Sequence, residues 1–271
     1  MAGTVAVVTG MASPIGQAVA RRLAGECRCL VLSDPDPRAA RPVLDEVERI
    51  RTLHGFDTDP VFVEADAATD EGARAAVCAA VQTFGQVDSV IVNGALTVRN
   101  GDGDGALAIS LDAFVPAVRM GGSALKRKGE GNLVLTALMG GAWPGDLGAA
   151  ARETAVSSFT AFVHAAARAL HGRGITLNGV ALEDPASADR TLDIAAPFSS
   201  ATVRGDRQRR SHQLHDAGYA TRFLASNEAR GLNGQVFVLS GNGPVAAPPY
   251  AAPAEADAYT ELFRHIEPLR A

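Results

Sequence analysis

The opening stretch of the chain constrains its fold more than any other. Thr4-Val5-Ala6-Val7-Val8-Thr9 is short, apolar and rich in β-branched residues, the composition of a strand buried on both faces of a parallel sheet. It runs directly into the small-residue turn Gly10 to Gly16, and Ala18, Val19 and Leu23 then recur at helical spacing toward Gly25. Parallel strands are joined only through a crossover, so strand, turn and helix in this order commit the chain to an α/β plan.

The alternation continues. Leu30 to Asp34 and Pro60 to Asp66 read as the second and third strands, with a charged helix from about Ala39 to Leu53 between them. Thr69 is placed to cap a helix whose apolar positions Ala73, Val77, Ala80, Val81 and Phe84 stop at Gly85, and Val87 to Val92 follows as the fourth strand. The second half predicts a helix from about Leu107, a strand Asn132 to Ala137, an alanine-rich helix from about Ala149 to His171 and a strand Ile175 to Ala181. Regularity lapses in the polar, arginine-rich segment Glu183 to His215, then resumes with a helix near Ala217 to Ser226 and a last strand Gly234 to Ser240. From Pro244 the tail is expected to be extended, with a short helix near Asp257 to Arg264. The expectation is one doubly wound parallel sheet in three α/β/α layers over residues 1–243, with a C-terminal extension over 244–271.

Composition narrows the function classes. A formal net charge of −5 supplies no basic field, so neither nucleic acid nor an anionic membrane is an expected partner. No apolar stretch approaches the ~20 residues of a membrane helix, and nothing near Met1 reads as a signal segment, so a cytoplasmic location is expected. Three cysteines are too few for a disulfide framework; Cys27 and Cys29 read as core thiols on one face of a strand. Asn100-Gly101-Asp102-Gly103-Asp104-Gly105 imitates half of a calcium loop, but its twelfth position is Leu111 and a strand precedes it, so no metal site is expected.

A strand, a glycine turn and a helix N-terminus together favour a pyrophosphate, through unpaired amides and the helix dipole. Asp34 closes the second strand eighteen residues after Gly16, where a carboxylate accepts hydrogen bonds from an adenosine ribose and repels a 2′-phosphate. The pair favours NAD over NADP.

With these residues in place the chain resembles the short-chain dehydrogenase/reductase family, a Rossmann-type fold, over roughly residues 3–241. Thr9-Gly10 through Ile15-Gly16 is similar to the family's TGxxxGIG turn, Asp66 to its adenine-contacting aspartate, and Asn93-Gly94-Ala95 to its NNAG segment. Phe223-Leu224-Ala225-Ser226 and Leu232-Asn233-Gly234-Gln235 resemble its FLAS and ITGQ elements. The resemblance implies NAD(H) held by Gly10, Ser13, Ile15, Gly16, Asp34, Asp66, Asn93 and Gly94. Two departures weaken it: Pro14 replaces the middle glycine, crowding the phosphate approach and removing an amide, and Leu96 replaces the last glycine of NNAG and is expected to intrude on the cofactor.

The family reduces carbonyls or oxidises alcohols with Asn, Ser, Tyr and Lys, the last two spaced YxxxK. Aligned on Ala155-Val156-Ser157-Ser158-Phe159-Thr160, the tyrosine position falls on Ala149 and the lysine position on Glu153. The serine position lies at Ala137 or Leu138 and the asparagine position at Ser110. The absence does not depend on alignment: the first tyrosine is Tyr219, no lysine follows Lys128, and no serine lies between Leu133 and Ala151. General acid–base catalysis is worth ~10²–10⁴ in rate, so the family route should be nearly abolished. Thr136, Glu153 and Ser110 are the substitute candidates. His164 lies eleven residues past Glu153, about three helical turns or ~16 Å away, and His171 farther still, so both read as packing or surface residues.

The resemblance also implies subunit pairing through the helices near 107–126 and 149–171, the second rich in small residues, although Pro116 and Gly121-Gly122 would weaken the first. Glu183 to His215 stands where the family carries a substrate-covering loop, and Arg204, Arg207, Arg209 and Arg210 within it are suited to an anionic group such as an acyl-CoA phosphate. The leading reading is a non-catalytic member that assembles, as a homo- or hetero-oligomer, with an active paralogue. The alternative is an NAD(H)-dependent oxidoreductase, or related lyase or isomerase, with a rebuilt site; an NAD-binding sensor is a third.

Overall fold

The computed structural model describes residues 3–100, 107–139, 148–171, 174–183, 200–240 and 243–246. Strand β1 (Val5–Thr9) leads through the glycine turn into α1 (Pro14–Ala24), then β2 (Cys29–Asp34), α2 (Pro37–Leu53), β3 (Val61–Glu64) and α3 (Asp70–Phe84). The second half holds β4 (Ser89–Asn100), β5 (Leu107–Ser110), α4 (Val115–Lys128), β6 (Gly131–Met139) and α5 (Gly148–Leu170). It closes with β7 (Ile175–Glu183), α6 (Ser200–Leu224), β8 (Val236–Ser240) and β9 (Gly243–Ala246).

The sheet order is β3-β2-β1-β4-β6-β7-β8-β9, parallel throughout except for β9, with β5 paired to β4 off this path. The expected three-layer doubly wound fold is therefore present. Because side chains alternate along a strand, each strand feeds two cores. Ala6, Val8, Leu30, Leu32, Ile91 and Val134 pack toward α1, α2 and α6, whereas Val5, Val7, Val31, Val90, Leu133 and Leu135 pack toward α3, α4 and α5. Each fully buried Val, Leu or Ile side chain contributes about 1.5–3 kcal/mol, so both faces are strongly held.

Helix entries follow their capping residues. Ser13 accepts from the Gly16 amide at the start of α1, Asp36 from the Arg38 and Ala39 amides at α2, and Thr69 from the Gly72 amide at α3. Near the far end of α2, Arg51 is buried and donates to the carbonyls of Cys27 (2.8 Å), Arg28 (2.6 Å) and Thr58 (2.6 and 2.9 Å), tying the helix to the loops on either side of the β2–β3 edge.

Several expectations are corrected. β4 does not stop near Val92 but continues to Asn100, and Leu107–Ser110 is its antiparallel partner rather than the start of a helix. The helix begins only at Val115. Pro116 falls in the first turn of α4, where a missing amide costs nothing, and a Cβ on Gly121 would stand 2.8 Å from Leu133 Cδ1, so this glycine lets the helix lie close on the sheet. The segment expected to be irregular up to His215 is helical from Ser200 onward. Cys27 precedes β2 and packs with the α1 side, while Cys29 lies against the opposite core; the i, i+2 rule fails because the chain at Cys27 is not yet a strand. The hexapeptide Asn100 to Gly105, apart from Asn100, and the predicted helix near 257–264 lie outside the described residues. Among the described residues no helix is long and apolar enough to cross a membrane.

Candidate functional site

The strand order reverses between β1 and β4, and the crevice at their carboxyl ends is where an open α/β sheet binds ligands. Gly10 turns the chain out of β1 at φ +61°, and a Cβ there would lie 2.6 Å from the Asn93 carbonyl oxygen. At Gly16 a Cβ would lie 2.1 Å from the Gly10 carbonyl oxygen. Packing alone therefore demands both glycines.

The turn satisfies most of its own amides. Met11 N–H donates to the Ser33 carbonyl (3.1 Å), Ala12 N–H to Asp34 Oδ2 (2.8 Å) and Ser13 N–H to the Gly10 carbonyl (3.2 Å). Ser13 Oγ donates to the Gly10 carbonyl (2.8 Å) and accepts from the Gly16 amide (3.1 Å). Pro14 occupies the first helical turn, and none of these bonds takes up the Ile15 amide, which follows it. Ile15 itself is buried.

Asp34 is only 6% exposed, with its second oxygen accepting from the Asp36 amide at 3.0 Å. Amides, and no cation among the described residues, offset its charge. Each carboxylate oxygen has two acceptor directions, so the group keeps capacity for ribose hydroxyls while repelling a 2′-phosphate. The turn, the Ile15 amide in the first turn of α1 and Asp34 thus fit the adenosine diphosphate half of NAD(H). Asp66 is exposed and accepts from the Ala68 amide at 3.0 Å, closing the turn that leads to α3.

Deeper in the crevice, buried Asn93 donates to the Thr9 carbonyl at 2.7 Å and accepts from Thr136 Oγ1 at 2.5 Å. This link across β1, β4 and β6 is not among the expectations from sequence, in which Thr136 stands only as a hydroxyl. A signal existed: two polar residues inside otherwise apolar buried strands are each other's natural partners. Thr136 is fully buried, so its hydroxyl serves Asn93 rather than an incoming substrate. Gly94 lies abreast of Ala137, and Leu96 is fully buried in the core; it does not stand in the crevice as expected, because β4 stays paired with β6 as far as Leu96 and Met139 and turns the side chain inward.

The positions that the sequence resemblance assigns to catalysis hold no proton carrier close to the sheet. Ala137 is fully buried and Leu138 half-buried on β6. Ala149 and Glu153 lie four residues apart on α5, and the Glu153 carboxyl is exposed. Ser110 ends β5 opposite Thr97, donates to Asp112 Oδ2 at 2.8 Å and accepts from the Asp112 amide at 3.3 Å, so its hydroxyl is used locally. Tyr219 on α6 packs 4.1 Å below the Arg22 guanidinium and 4.7 Å from the His215 ring, on the far side of α1. The side chains of Arg204, Arg207, Arg209 and Arg210 lie outside the described residues.

Comparison with known proteins places this geometry in context. A family model described as enoyl-(acyl carrier protein) reductase matches residues 10–241. The short-chain reductase protein NovJ of Streptomyces niveus is 30% identical over 186 residues, which cover 66% of this chain and 68% of that protein. The 3beta-hydroxysteroid dehydrogenase 2 of Eggerthella lenta is 27% identical over 262 residues, covering 89% and 95%. Among solved structures, an NAD+-bound xylitol dehydrogenase superposes with a TM-score of 0.64 at 18% identity, covering 88% of this chain and 98% of that one. A 3-ketoacyl-ACP reductase from Sinorhizobium meliloti gives a TM-score of 0.63 at 21% identity, covering 88% and 97%.

Proposed function

The chain belongs to the enoyl-(acyl carrier protein) reductase family within the short-chain dehydrogenase/reductase superfamily, and from that membership we propose that it is an NAD(H)-dependent oxidoreductase with an atypical proton-handling site. The observation that carries the reading is the buried Asp34, bonded to the glycine turn through Ala12 at the point where the strand order reverses. When bound, the nicotinamide supplies the hydride. The chain's own residues shape the rest: Asp34 selects the unphosphorylated ribose, the Ile15 amide meets the pyrophosphate, and Asn93, locked by Thr136, stiffens the crevice wall. Relatives named as hydroxysteroid and cyclohexadiene-diol dehydrogenases support a secondary alcohol or its ketone as the substrate class.

Proton transfer then falls to Glu153 or to solvent, because Thr136 and Ser110 are already engaged. Purified protein should bind NADH in calorimetry at least tenfold more tightly than NADPH, and should turn over some member of a cyclic alcohol and ketone panel. Glu153→Gln should then lower kcat by ~10-fold or more without changing NADH affinity, as expected for loss of a general acid or base.

A second reading rests on Ala137 or Leu138, Ala149 and Glu153, which the resemblance sets at the family's serine, tyrosine and lysine positions. On that reading the chain is a non-catalytic subunit of an assembly with an active paralogue. No turnover alone, together with a rise in the activity or stability of a YxxxK paralogue on mixing, would establish it and remove the first.

A further inference from the structure

Ala12 joins the glycine turn both to the carboxylate in front of it and to the helix behind it. Its amide donates to Asp34 Oδ2 at 2.8 Å, and its carbonyl accepts from Gln17 Nε2 at 2.9 Å. The peptide between Ala12 and Ser13 is held at its other end as well, by the bond from the Ser13 amide to the Gly10 carbonyl at 3.2 Å. A trans peptide is planar, so bonds at both ends fix the direction of its plane. Gln17 supplies the one of these bonds that reaches the turn from the body of α1.

Gln17 is itself held in place. Arg21, one helical turn further along α1, donates from Nη2 to Gln17 Oε1 at 3.2 Å. An arginine offers donors and no acceptor, so the Gln17 side-chain carbonyl must face it, which leaves the NH₂ group for Ala12. Arg21 Nε in turn donates to Glu46 Oε2 on α2 at 2.6 Å, and Glu46 Oε1 stands 4.0 Å from the Arg49 guanidinium. Arg21 and Glu46 are both partly exposed, so each bond competes with water and is weak when taken singly. Linked in series, they give the Gln17 amide one orientation and carry the position of α2 into the turn.

We propose that Gln17 is a positioning residue for the nucleotide, acting through Ala12 to hold Asp34 in the orientation that accepts a ribose hydroxyl and rejects a 2′-phosphate. Without the Gln17 donor, the Ala12–Ser13 peptide keeps only the Ser13 bond to Gly10 and can rock about it. The Ala12 amide then drifts from Asp34 Oδ2, and the carboxylate is left tied through Oδ1 to the Asp36 amide alone, at 3.0 Å. A carboxylate held at one oxygen turns more freely and discriminates less between the two nucleotides. This assignment rests on the NAD(H)-dependent reading, which supplies the nucleotide to be selected.

The test compares the full chain with Gln17→Met, which keeps the length of the side chain and removes both polar atoms, and with Glu46→Ala, which releases Arg21. Amide hydrogen exchange at Ala12 and Ser13 is read in nucleotide-free protein, and NADH and NADPH affinities are read by calorimetry. Gln17→Met should speed exchange at both amides, and shrink the preference for NADH over NADPH, each by about fivefold, the net worth of one hydrogen bond. Its melting temperature should stay near that of the parent. Glu46→Ala should move both readouts the same way by less, and Arg41→Gln, which removes an exposed ion pair elsewhere on α2, should move neither. Unchanged exchange at Ala12 and Ser13 in Gln17→Met would overturn the proposal. So would a Gln17→Met protein that melts lower yet selects NADH as the parent does, since Gln17 would then only brace the fold. A parent that binds neither nucleotide would overturn the oxidoreductase reading together with the positioning role, whereas a parent that binds NADH beside a variant that selects like it overturns the positioning role alone.

Discussion

Thr136 Oγ1 on β6 donates to Asn93 Oδ1 on β4 at 2.5 Å, and the Asn93 amide in turn donates to the Thr9 carbonyl on β1 at 2.7 Å. One buried relay thus joins three adjacent strands at the floor of the nucleotide crevice. Replacing Asn93 by alanine strands the Thr136 hydroxyl and the Thr9 carbonyl, each unsatisfied group costing about 1–3 kcal/mol. Asn93→Ala should lower unfolding free energy by ~2–4 kcal/mol in urea, and Thr136→Val by about 1–2 kcal/mol, since the valine fills the same volume. A neutral Asn93→Ala would contradict the relay.

The glycine turn offers a contrast between packing and ligand binding. Because a Cβ at Gly10 or Gly16 meets backbone oxygen at 2.6 or 2.1 Å, Gly10→Ala and Gly16→Ala should each destabilise the protein without any nucleotide. A cost of ~2 kcal/mol or more is expected for backbone that must move, with the strain at Gly10 added by its positive φ. Thermal melts of nucleotide-free protein decide the matter; variants that melt like the parent and lose only NADH affinity would assign the glycines to the ligand instead.

Arg51 makes four hydrogen bonds to three carbonyls while fully enclosed. Arg51→Ala leaves those carbonyls unpaired and opens a cavity, and should cost about 3–5 kcal/mol. Arg51→Lys should recover little, since an ammonium cannot span the same fork of acceptors. Guanidinium denaturation of the three proteins side by side is the measurement.

Cys27 provides a pH prediction. Burial pushes its thiol up to about 11 from an ordinary value of 9.0, against a smaller opposing hydrogen bond from Thr4. The folded pKa is raised, so the stability it contributes is complete below pH 9 and is lost as pH rises through 11, where the unfolded chain holds the thiolate and the folded chain does not. The loss across that window is on the order of 2–3 kcal/mol. Stability measured from pH 8 to 11 should fall less steeply in Cys27→Ala, and iodoacetamide should spare Cys27 in the folded protein at pH 8.

Much of the fold is local and was legible as such. The run Val5 to Thr9, the cap Thr69 and the stop at Gly85 each act within a few residues of their own backbone, and the observed elements begin and end at or beside them. The antiparallel pair of β4 and β5 was not legible, because Leu107 to Ser110 is equally apolar as a helix start, and only pairing with Thr97 to Asn100 decides for a strand. Likewise Arg222 and Arg51 look alike as helical arginines. The first makes partly exposed ion pairs with Glu26 and Glu228, whereas the second is enclosed because two distant loops close over it.

The sequence by itself determined the parallel α/β plan, the carboxylate at the end of β2 and the absence of a tyrosine before Tyr219 or a lysine after Lys128, since composition and short-range spacing suffice for each. The tertiary structure alone decided that Thr136 belongs to Asn93 and that Leu96 faces the core. Those outcomes depend on register between strands and on helices docking across the sheet, and the bonded pair Asn93 and Thr136 stands 43 residues apart. Contacts at that separation leave no periodic trace in the chain; they exist only once the cores on both faces of the sheet have formed.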